Sequence, residues 1–216
     1  MYHLPGHAAD RTTLMVSREI RWFFDGDAPG DILEWFSALP GDQEPESRSD
    51  HYDLIAARTG AGVKYRDGQF MDSKFRLSAR QLTTLPHPFN GTVEDWAKIS
   101  TPISPDGPPP PEEFVRVDKR LITKRIDADS MVSAEAGEAG CEIEIAFIQT
   151  PTGPAWSLCF ESFGPPEARG QAFHVGIDAA ATAPFPTSIA LPSGYNGGYP
   201  LWIARRELAE WPHSVA

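Results

Sequence analysis

The chain has 216 residues, of which 41% are hydrophobic, and its 30 acidic and 19 basic residues give a formal net charge of −11. Its 21 prolines and 18 glycines argue against a helical bundle and favour short elements separated by turns. The negative charge repels nucleic acid and anionic membranes, so the sequence predicts neither as a partner.

The first half of the chain predicts three or four strands and one helix. Residues 14–24 alternate in part and are rich in β-formers, which indicates a strand. A helix is predicted over residues 31–39, with Asp31 as its N-cap and Pro40-Gly41 as its end. Residues 42–49 predict a polar loop, residues 51–55 a short strand, and the segments 62–66 and 72–77 the two strands of a hairpin.

The second half predicts more strands and a final helix. Residues 93–99 predict a helical turn that holds Trp96, and residues 100–113 a loop whose proline run is a stiff connector rather than a PxxP ligand. Strands are predicted over residues 114–126, 141–148 and 155–163, and a C-terminal helix over residues 200–211. This order of elements predicts an α+β protein, mainly an antiparallel β-barrel with a few helices.

Neither a leader nor a scaffold of disulfides is predicted. No apolar run resembles a secretory segment or approaches the roughly 20 residues of a membrane span. Cys141 and Cys159 are the only cysteines, they fall on opposite strand faces, and no histidine forms a zinc-type spacing with them. We therefore expect a soluble, cytoplasmic protein with a polar tail over residues 1–13 and a single barrel domain over residues 14–216.

Charged residues share one face on five of the predicted strands, because side chains alternate across a strand. The ordinary interpretation is an amphipathic sheet whose charged face lies in water. Two adjacent strands are basic and two late strands are acidic, however, which is unlike the mixed charge of an ordinary surface. The residues on these faces are Glu19, Arg21, Lys64, Arg66, Lys74, Arg76, Glu142, Glu144 and Glu161.

The register of the hairpin decides whether its four cations converge. A two-residue loop would put them on opposite faces, whereas a three-residue loop over residues 67–69 pairs Arg66 with Phe70 and puts all four on one face. The apolar residues of the two strands favour the second register, because only then do they share the other face. Converging cations repel one another unless carboxylates or a bound anion neutralise them. A phosphate-rich anion fits, because arginine and lysine both bind phosphate.

These segments resemble, in order, the motifs of the CYTH superfamily, the triphosphate tunnel metalloenzymes. Residues 17–22 are similar to the Glu-x-Glu-x-Lys motif of the first strand, and residues 62–66 and 72–76 to the basic hairpin. Residues 114–120 are similar to a later basic strand, and residues 141–145 and 159–164 to the acidic strands. The resemblance implies an eight-stranded, closed or nearly closed antiparallel barrel that forms a tunnel.

The resemblance also implies a role for each charged residue. The small phosphorylated partner would be a triphosphate or polyphosphate, bound with Mg²⁺ or Mn²⁺ as cofactor. On the 114–126 strand, the face of Lys119 and Arg125 is favoured over that of Arg120 and Lys124. The implied catalytic residues are Glu19 and Arg21, the substrate-binding residues Lys64, Arg66, Lys74, Arg76, Lys119 and Arg125, and the metal ligands Glu142, Glu144 and Glu161.

Three departures from the family pattern bear on function. Ser17 stands where the family has its first glutamate, Arg21 replaces the motif lysine, and Asp72 stands where many members have glutamate. Arginine preserves the charge that binds phosphate. The serine removes a metal ligand, so it affects catalysis more than binding.

Four functions remain open on the sequence. The first is a metal-dependent phosphohydrolase of the triphosphatase kind, and the second is a binding module that has lost the chemistry, which Ser17 favours. The third is an enzyme like the class IV adenylate cyclases. The fourth, a carrier of an apolar molecule, conflicts with the charged inner faces. Trp22, Trp35 and Trp156 are expected in the core, and Tyr52 is left open between a tunnel residue and a structural one.

Overall fold

The fold is a closed eight-stranded antiparallel barrel, to which the described residues add four helices, and this confirms the predicted fold class. The computed structural model describes residues 11–58, 61–104, 106–107, 109–127, 139–191 and 197–208. Around the barrel the strands follow the order β1-β5-β4-β3-β2-β6-β7-β8. The elements are β1 (Thr13–Asp25), α1 (Gly30–Ala38), β2 (Gln43–Tyr52), α2 (Leu54–Arg58), β3 (Ala61–Arg66), β4 (Phe70–Leu82), β5 (Gly91–Pro102), β6 (Val115–Asp127), β7 (Gly140–Thr150), β8 (Gly153–Phe163), α3 (Pro166–Ala181) and α4 (Tyr199–Glu207).

The main apolar core lies outside the barrel, between the sheet and two helices. The outward faces of β1, β7 and β8 are apolar, and α1 and α3 pack on them. Burial of one such side chain contributes about 1.5–3 kcal/mol, so the outer core can supply the stability that most barrels draw from their lumen. The predicted core tryptophans Trp22, Trp35 and Trp156 all belong to this cluster. The charged faces of the same strands therefore point into the lumen.

A second apolar cluster closes one end of the lumen. Inward-facing residues of β1, β2, β6, β7 and β8 pack there against Ile203 and Ala204 of α4 and against α2. Asp53 caps the short helix α2, since its Oδ1 accepts hydrogen bonds from the backbone N–H groups of Ile55 and Ala56 at 2.8 and 3.1 Å. The barrel interior is thus apolar at the end where these two helices lie.

The predicted hairpin register is confirmed. Arg66 lies across from Phe70, Lys64 across from Asp72, and Gly62 across from Lys74. At the turn, Asp67 and Gly68 have φ values of 51° and 64°, in the left-handed region that aspartate tolerates and glycine adopts freely. The cations of β3 and β4 therefore face the same side.

Two predictions for the first 100 residues are wrong. Of the predicted loop over residues 42–49, residues 43–49 belong to β2, and residues 93–99 are not a helical turn but belong to β5. Both strands place ion-paired or polar side chains in the lumen, so neither shows the apolar alternation that marks an ordinary strand. The predicted short strand at residues 51–55 is the end of β2 followed by α2.

The helices also differ from the prediction. The helix α3 was not predicted, because its alanine- and glycine-rich sequence has little amphipathic pattern. Gly176 of this helix packs on Cys141, where a Cβ atom would lie 2.3 Å from the Sγ atom. The predicted C-terminal helix corresponds to α4, although residues 209–211 and the tail over residues 1–10 lie outside the described residues. None of the helices in the described ranges is long and apolar enough to cross a membrane.

Candidate functional site

A cavity of about 100 Å³ lies in the lumen and is lined mainly by charged side chains. Seven of its lining residues are cationic and three are carboxylates. Gly62, Tyr52 and the α4 residues Tyr199 and Pro200 complete the lining. The charged residues are Arg21, Arg48, Lys64, Arg66, Lys74, Lys98 and Lys119, and Asp72, Glu144 and Glu161.

Asp50 is the shared counter-ion of three of these cations. Its Oδ2 atom accepts hydrogen bonds from Lys64 Nζ at 2.7 Å and from Lys119 Nζ at 2.8 Å, and Arg48 Nε lies 3.6 Å away. The Asp50 side chain is fully buried, and its Oδ1 atom makes no hydrogen bond within the described part of the chain. One carboxylate oxygen thus holds two ammonium groups in place.

The crowding of cations around Asp50 alters three pKa values. Burial raises the pKa of Asp50, but Lys119, Lys64 and Arg48 outweigh burial and hold it below its ordinary value. Burial lowers the pKa of Lys64 to about 8, although Asp50 opposes the change. Burial likewise holds the pKa of Lys119 well below its usual range. A single negative charge therefore does not keep both lysines protonated at alkaline pH.

Aromatic rings complete the surroundings of Lys119. Its ammonium lies 3.6 Å from the ring centroid of Tyr199 and 4.8 Å from that of Tyr52. The faces of these rings attract a cation, which partly replaces the hydration that the lysine loses. Tyr52, left open by the sequence, is therefore a residue of the lumen.

The wall formed by β1, β7 and β8 is acidic, and its carboxylates Glu19 and Glu144 are paired with cations. Arg21 donates to Glu144 at 2.6 Å and to the Ser157 hydroxyl at 3.1 Å. Lys74 donates to Glu19 at 2.6 Å. Burial raises the pKa of Glu144, but Arg21 outweighs it and lowers the pKa below its ordinary value.

Lys98 is a lining cation without a close counter-ion. It makes no hydrogen bond and no ion pair within 4 Å in the described ranges of the chain, and it lies opposite Lys74 in the β4–β5 register. Burial lowers the pKa of Lys98, while Asp72 and Glu161 act in the opposite direction at longer range. Arg66, by contrast, lies 3.1 Å from Asp72.

The structure does not bring all the predicted site residues to the cavity. Glu19 is buried beside the cavity and bound to Lys74. Arg76 and Arg125 lie outside the cavity lining. Arg76 pairs with Glu94 at 2.9 Å, and Arg125 pairs with Asp127 at 2.6 Å. Glu142 also lies outside the lining, as the register neighbour of Glu161 and Arg125. On β6, the face that the sequence favoured turns Lys119 into the lumen. Lys124 lies on the other face and donates hydrogen bonds to the backbone carbonyls of residues 37 and 39. The predicted residues that line the cavity are Arg21, Lys64, Arg66, Lys74, Lys119, Glu144 and Glu161.

Sequence reasoning missed Arg48, Asp50, Lys98 and Tyr199. The first two stand at alternate positions in β2, and Lys98 in β5, so the same parity argument applies once these segments are treated as strands. No pattern in the sequence places Tyr199 in the lumen, because its position depends on how α4 enters the barrel.

The carboxylates do not form a metal site in this arrangement. No group of three or more histidine, cysteine, aspartate or glutamate side chains in the described residues could hold a metal ion. Arg21 donates a hydrogen bond to Glu144, and Glu161 lies 3.9 Å from the Lys74 ammonium. The donor set therefore does not fit the oxygen shell that Mg²⁺ or Mn²⁺ requires.

Comparisons with known proteins give matches among solved structures, and these are distant. No protein-family model and no curated protein matches the chain. Among solved structures, it is similar to the S. pombe Pct1 RNA triphosphatase, with a TM-score of 0.39, 9% sequence identity and coverage of 78% of each chain. This likeness is too distant to carry a residue role or an activity to this chain.

Proposed function

We propose that the barrel binds a triphosphate- or polyphosphate-containing anion in its lumen, as the predicted relationship to the triphosphate tunnel proteins implies. The observation that supports this function is the excess of cations at the cavity of an acidic protein. Seven cationic residues line the cavity, against three lining carboxylates and three more, Asp50, Glu19 and Glu46, that pair with the same cations. One positive charge is left for a ligand.

Lys98 is the lining cation that a bound anion can contact without displacing a carboxylate. Most of the other lining cations are already held by a carboxylate, so a ligand must compete for them. Lys98 has no such partner in the described residues, and it lies next to Lys74 in the register. A phosphate oxygen placed beside Lys98 would supply the negative charge that this ammonium lacks and would reduce its repulsion with Lys74.

The chemistry of the cavity favours phosphate over an apolar or neutral ligand. Arg21, Arg48 and Arg66 offer planar N–H donors that match phosphate oxygens, and the lysines add compact charges. An apolar molecule would have to desolvate this charge without replacing its hydrogen bonds, which is costly. The carrier of an apolar molecule is therefore the least favourable of the four functions.

Calorimetry with tripolyphosphate tests the proposal. We expect the wild-type protein to bind tripolyphosphate without added metal, and to bind it less tightly as salt is raised. Lys98→Ala should weaken binding by about 1.5–3 kcal/mol, or about ten- to a hundredfold in Kd, because one charged hydrogen bond is lost. The matched control is Arg120→Ala, which removes a cation from the outer face of β6, where Arg120 lies over the ring of Phe147.

Two results would reject the binding function. One is the absence of tripolyphosphate binding by the folded wild-type protein. The other is an equal effect of the Lys98 and Arg120 substitutions, since this would mean that net charge and not the lumen attracts the anion.

Hydrolysis of the bound anion stays a separate prediction. The resemblance implied a metal-dependent phosphohydrolase, but the carboxylates in this structure are paired with cations and do not fit a divalent ion. We therefore propose binding as the function and assign no hydrolytic step. Phosphate release from tripolyphosphate, thiamine triphosphate and nucleoside triphosphates, measured with and without Mg²⁺ and Mn²⁺, tests the enzyme.

A further inference from the structure

Lys74 lies between two carboxylates of the acidic wall. Its Nζ atom is 2.6 Å from Glu19 Oε2 and 3.9 Å from Glu161 Oε1. The two glutamates face each other across the β1–β8 register, and Ser17 stands on the same face of β1 as Glu19. A positive charge thus already occupies the space where these strands bring two carboxylates together.

The surroundings of this ammonium suit a lysine better than a metal ion. The ring of Trp96 lies 5.1 Å from Lys74 Nζ and presents an aromatic face to it. Such a face stabilises an ammonium group but offers no oxygen ligand, whereas Mg²⁺ demands a near-octahedral shell of oxygens. Lys74 also supplies its positive charge from β4, so the two carboxylates need no ion from solution.

Glu19 keeps an unused ligand atom. Its side chain is 1% exposed, and its Oε1 atom makes no hydrogen bond within the described residues. A buried carboxylate oxygen without a partner is uncommon. Glu19 Oε1 can therefore bind a cation in addition to Oε2, which is the atom that Lys74 contacts.

We propose that the ammonium of Lys74 is the built-in cation of the acidic wall, in the place that a divalent metal ion would take between Glu19 and Glu161. The wild-type protein therefore binds no divalent ion between these carboxylates. Removal of the ammonium leaves the buried carboxylate of Glu19 and the half-buried carboxylate of Glu161 around a space that a divalent cation can enter. The inference concerns the metal alone, so it does not depend on whether the cavity binds phosphate.

Titration with Mn²⁺ in the absence of any phosphate tests this inference. We expect Lys74→Ala to bind one Mn²⁺ per chain, at least about tenfold more tightly than the wild-type protein. The matched control is Lys98→Ala, which removes the register partner of Lys74 on β5 and so takes one positive charge from the same cavity. This control should bind Mn²⁺ no better than the wild type, because it leaves the space between the glutamates occupied.

A second substitution identifies the ligands. In the double variant Lys74→Ala with Glu19→Gln, the gained Mn²⁺ site should be lost. Thermal unfolding with and without Mn²⁺ gives an independent readout, since an ion that binds only the folded state raises Tm. If Lys74→Ala does not fold, Lys74→Ser carries the same expectations.

Either of two outcomes would overturn the inference. The first is a stoichiometric Mn²⁺ site in the wild-type protein that Glu19→Gln removes. The second is a folded Lys74→Ala or Lys74→Ser protein, with the circular dichroism spectrum of the wild type, that binds Mn²⁺ no more tightly than the wild type or the Lys98→Ala control.

Discussion

Replacement of Asp50 by asparagine would remove the counter-ion of three lumen cations. The Asp50 carboxylate is fully buried and accepts hydrogen bonds from Lys64 and Lys119 at 2.7 and 2.8 Å, with Arg48 at 3.6 Å. The asparagine would keep the shape of the side chain but not its charge. The three cations would then face one another without a negative charge at their centre.

The cost follows from leaving buried charges unpaired. Removal of one partner of a buried ion pair costs about 3–5 kcal/mol. Lys64 and Lys119 can escape part of that cost by releasing a proton, because their pKa values are already lowered. We therefore expect Asp50→Asn to lower the free energy of unfolding by about 3 kcal/mol, the lower end of that range. For a chain of this length, such a loss lowers Tm by about 6–12 °C.

Urea and thermal unfolding at neutral pH measure this loss. The matched control is Asp118→Asn on β6, which alters an exposed ion pair with Arg116, and such pairs contribute about 0–1 kcal/mol. Tripolyphosphate should restore part of the stability of Asp50→Asn, because its charge replaces that of the carboxylate. A loss for Asp50→Asn no larger than that for Asp118→Asn would refute the reasoning that Asp50 organises the lumen cations.

Three further predictions use the same structure. Burial lowers the pKa of Lys64 from 10.5 to about 8, so between these pH values the unfolded chain binds more protons than the folded protein. The free energy of unfolding, measured with urea, should therefore rise with pH from about 8 to 10, and it should rise less in Lys64→Met. Arg66→Ala should weaken tripolyphosphate binding by about tenfold in calorimetry, whereas Arg76→Ala, outside the cavity lining, should change it little; equal effects would contradict the assigned cavity. Gly176→Ala should lower the free energy of unfolding by about 1–3 kcal/mol, because its Cβ would lie 2.3 Å from Cys141 Sγ, and an unchanged urea midpoint would contradict this close packing.

The amino-acid sequence determined the faces of the strands that it predicts and the register of the hairpin. Alternation alone put Lys64 and Arg66 on one side of β3, and the three-residue loop put Lys74 on the same side of β4. These features depend on neighbours in the chain and on the fixed geometry of a strand. They could therefore be predicted before any tertiary contact was known.

Prediction from the sequence failed for the strands that lack the usual apolar face. The strand β2 buries Asp50 and half-buries Arg48 in the lumen, and its outer face is in water, so nothing in it alternates between apolar and polar. The strand β5 likewise turns Lys98 inward. In a barrel with a charged lumen and an external core, the hydrophobic pattern is clearest in the strands that helices cover, such as β1, β7 and β8.

Only the closed barrel decided which charges meet. Lys74 and its partner Glu19 are 55 residues apart in the chain, Lys119 and Asp50 are 69 apart, and Arg21 and Glu144 are 123 apart. Alternation shows that each of these side chains points inward, but it cannot rank the possible partners, because every inward cation could pair with several inward carboxylates. The order of strands around the barrel and the shift between neighbouring strands set those distances. The same closure leaves Lys98 without a counter-ion in the described residues, which is the feature on which the proposed anion binding depends.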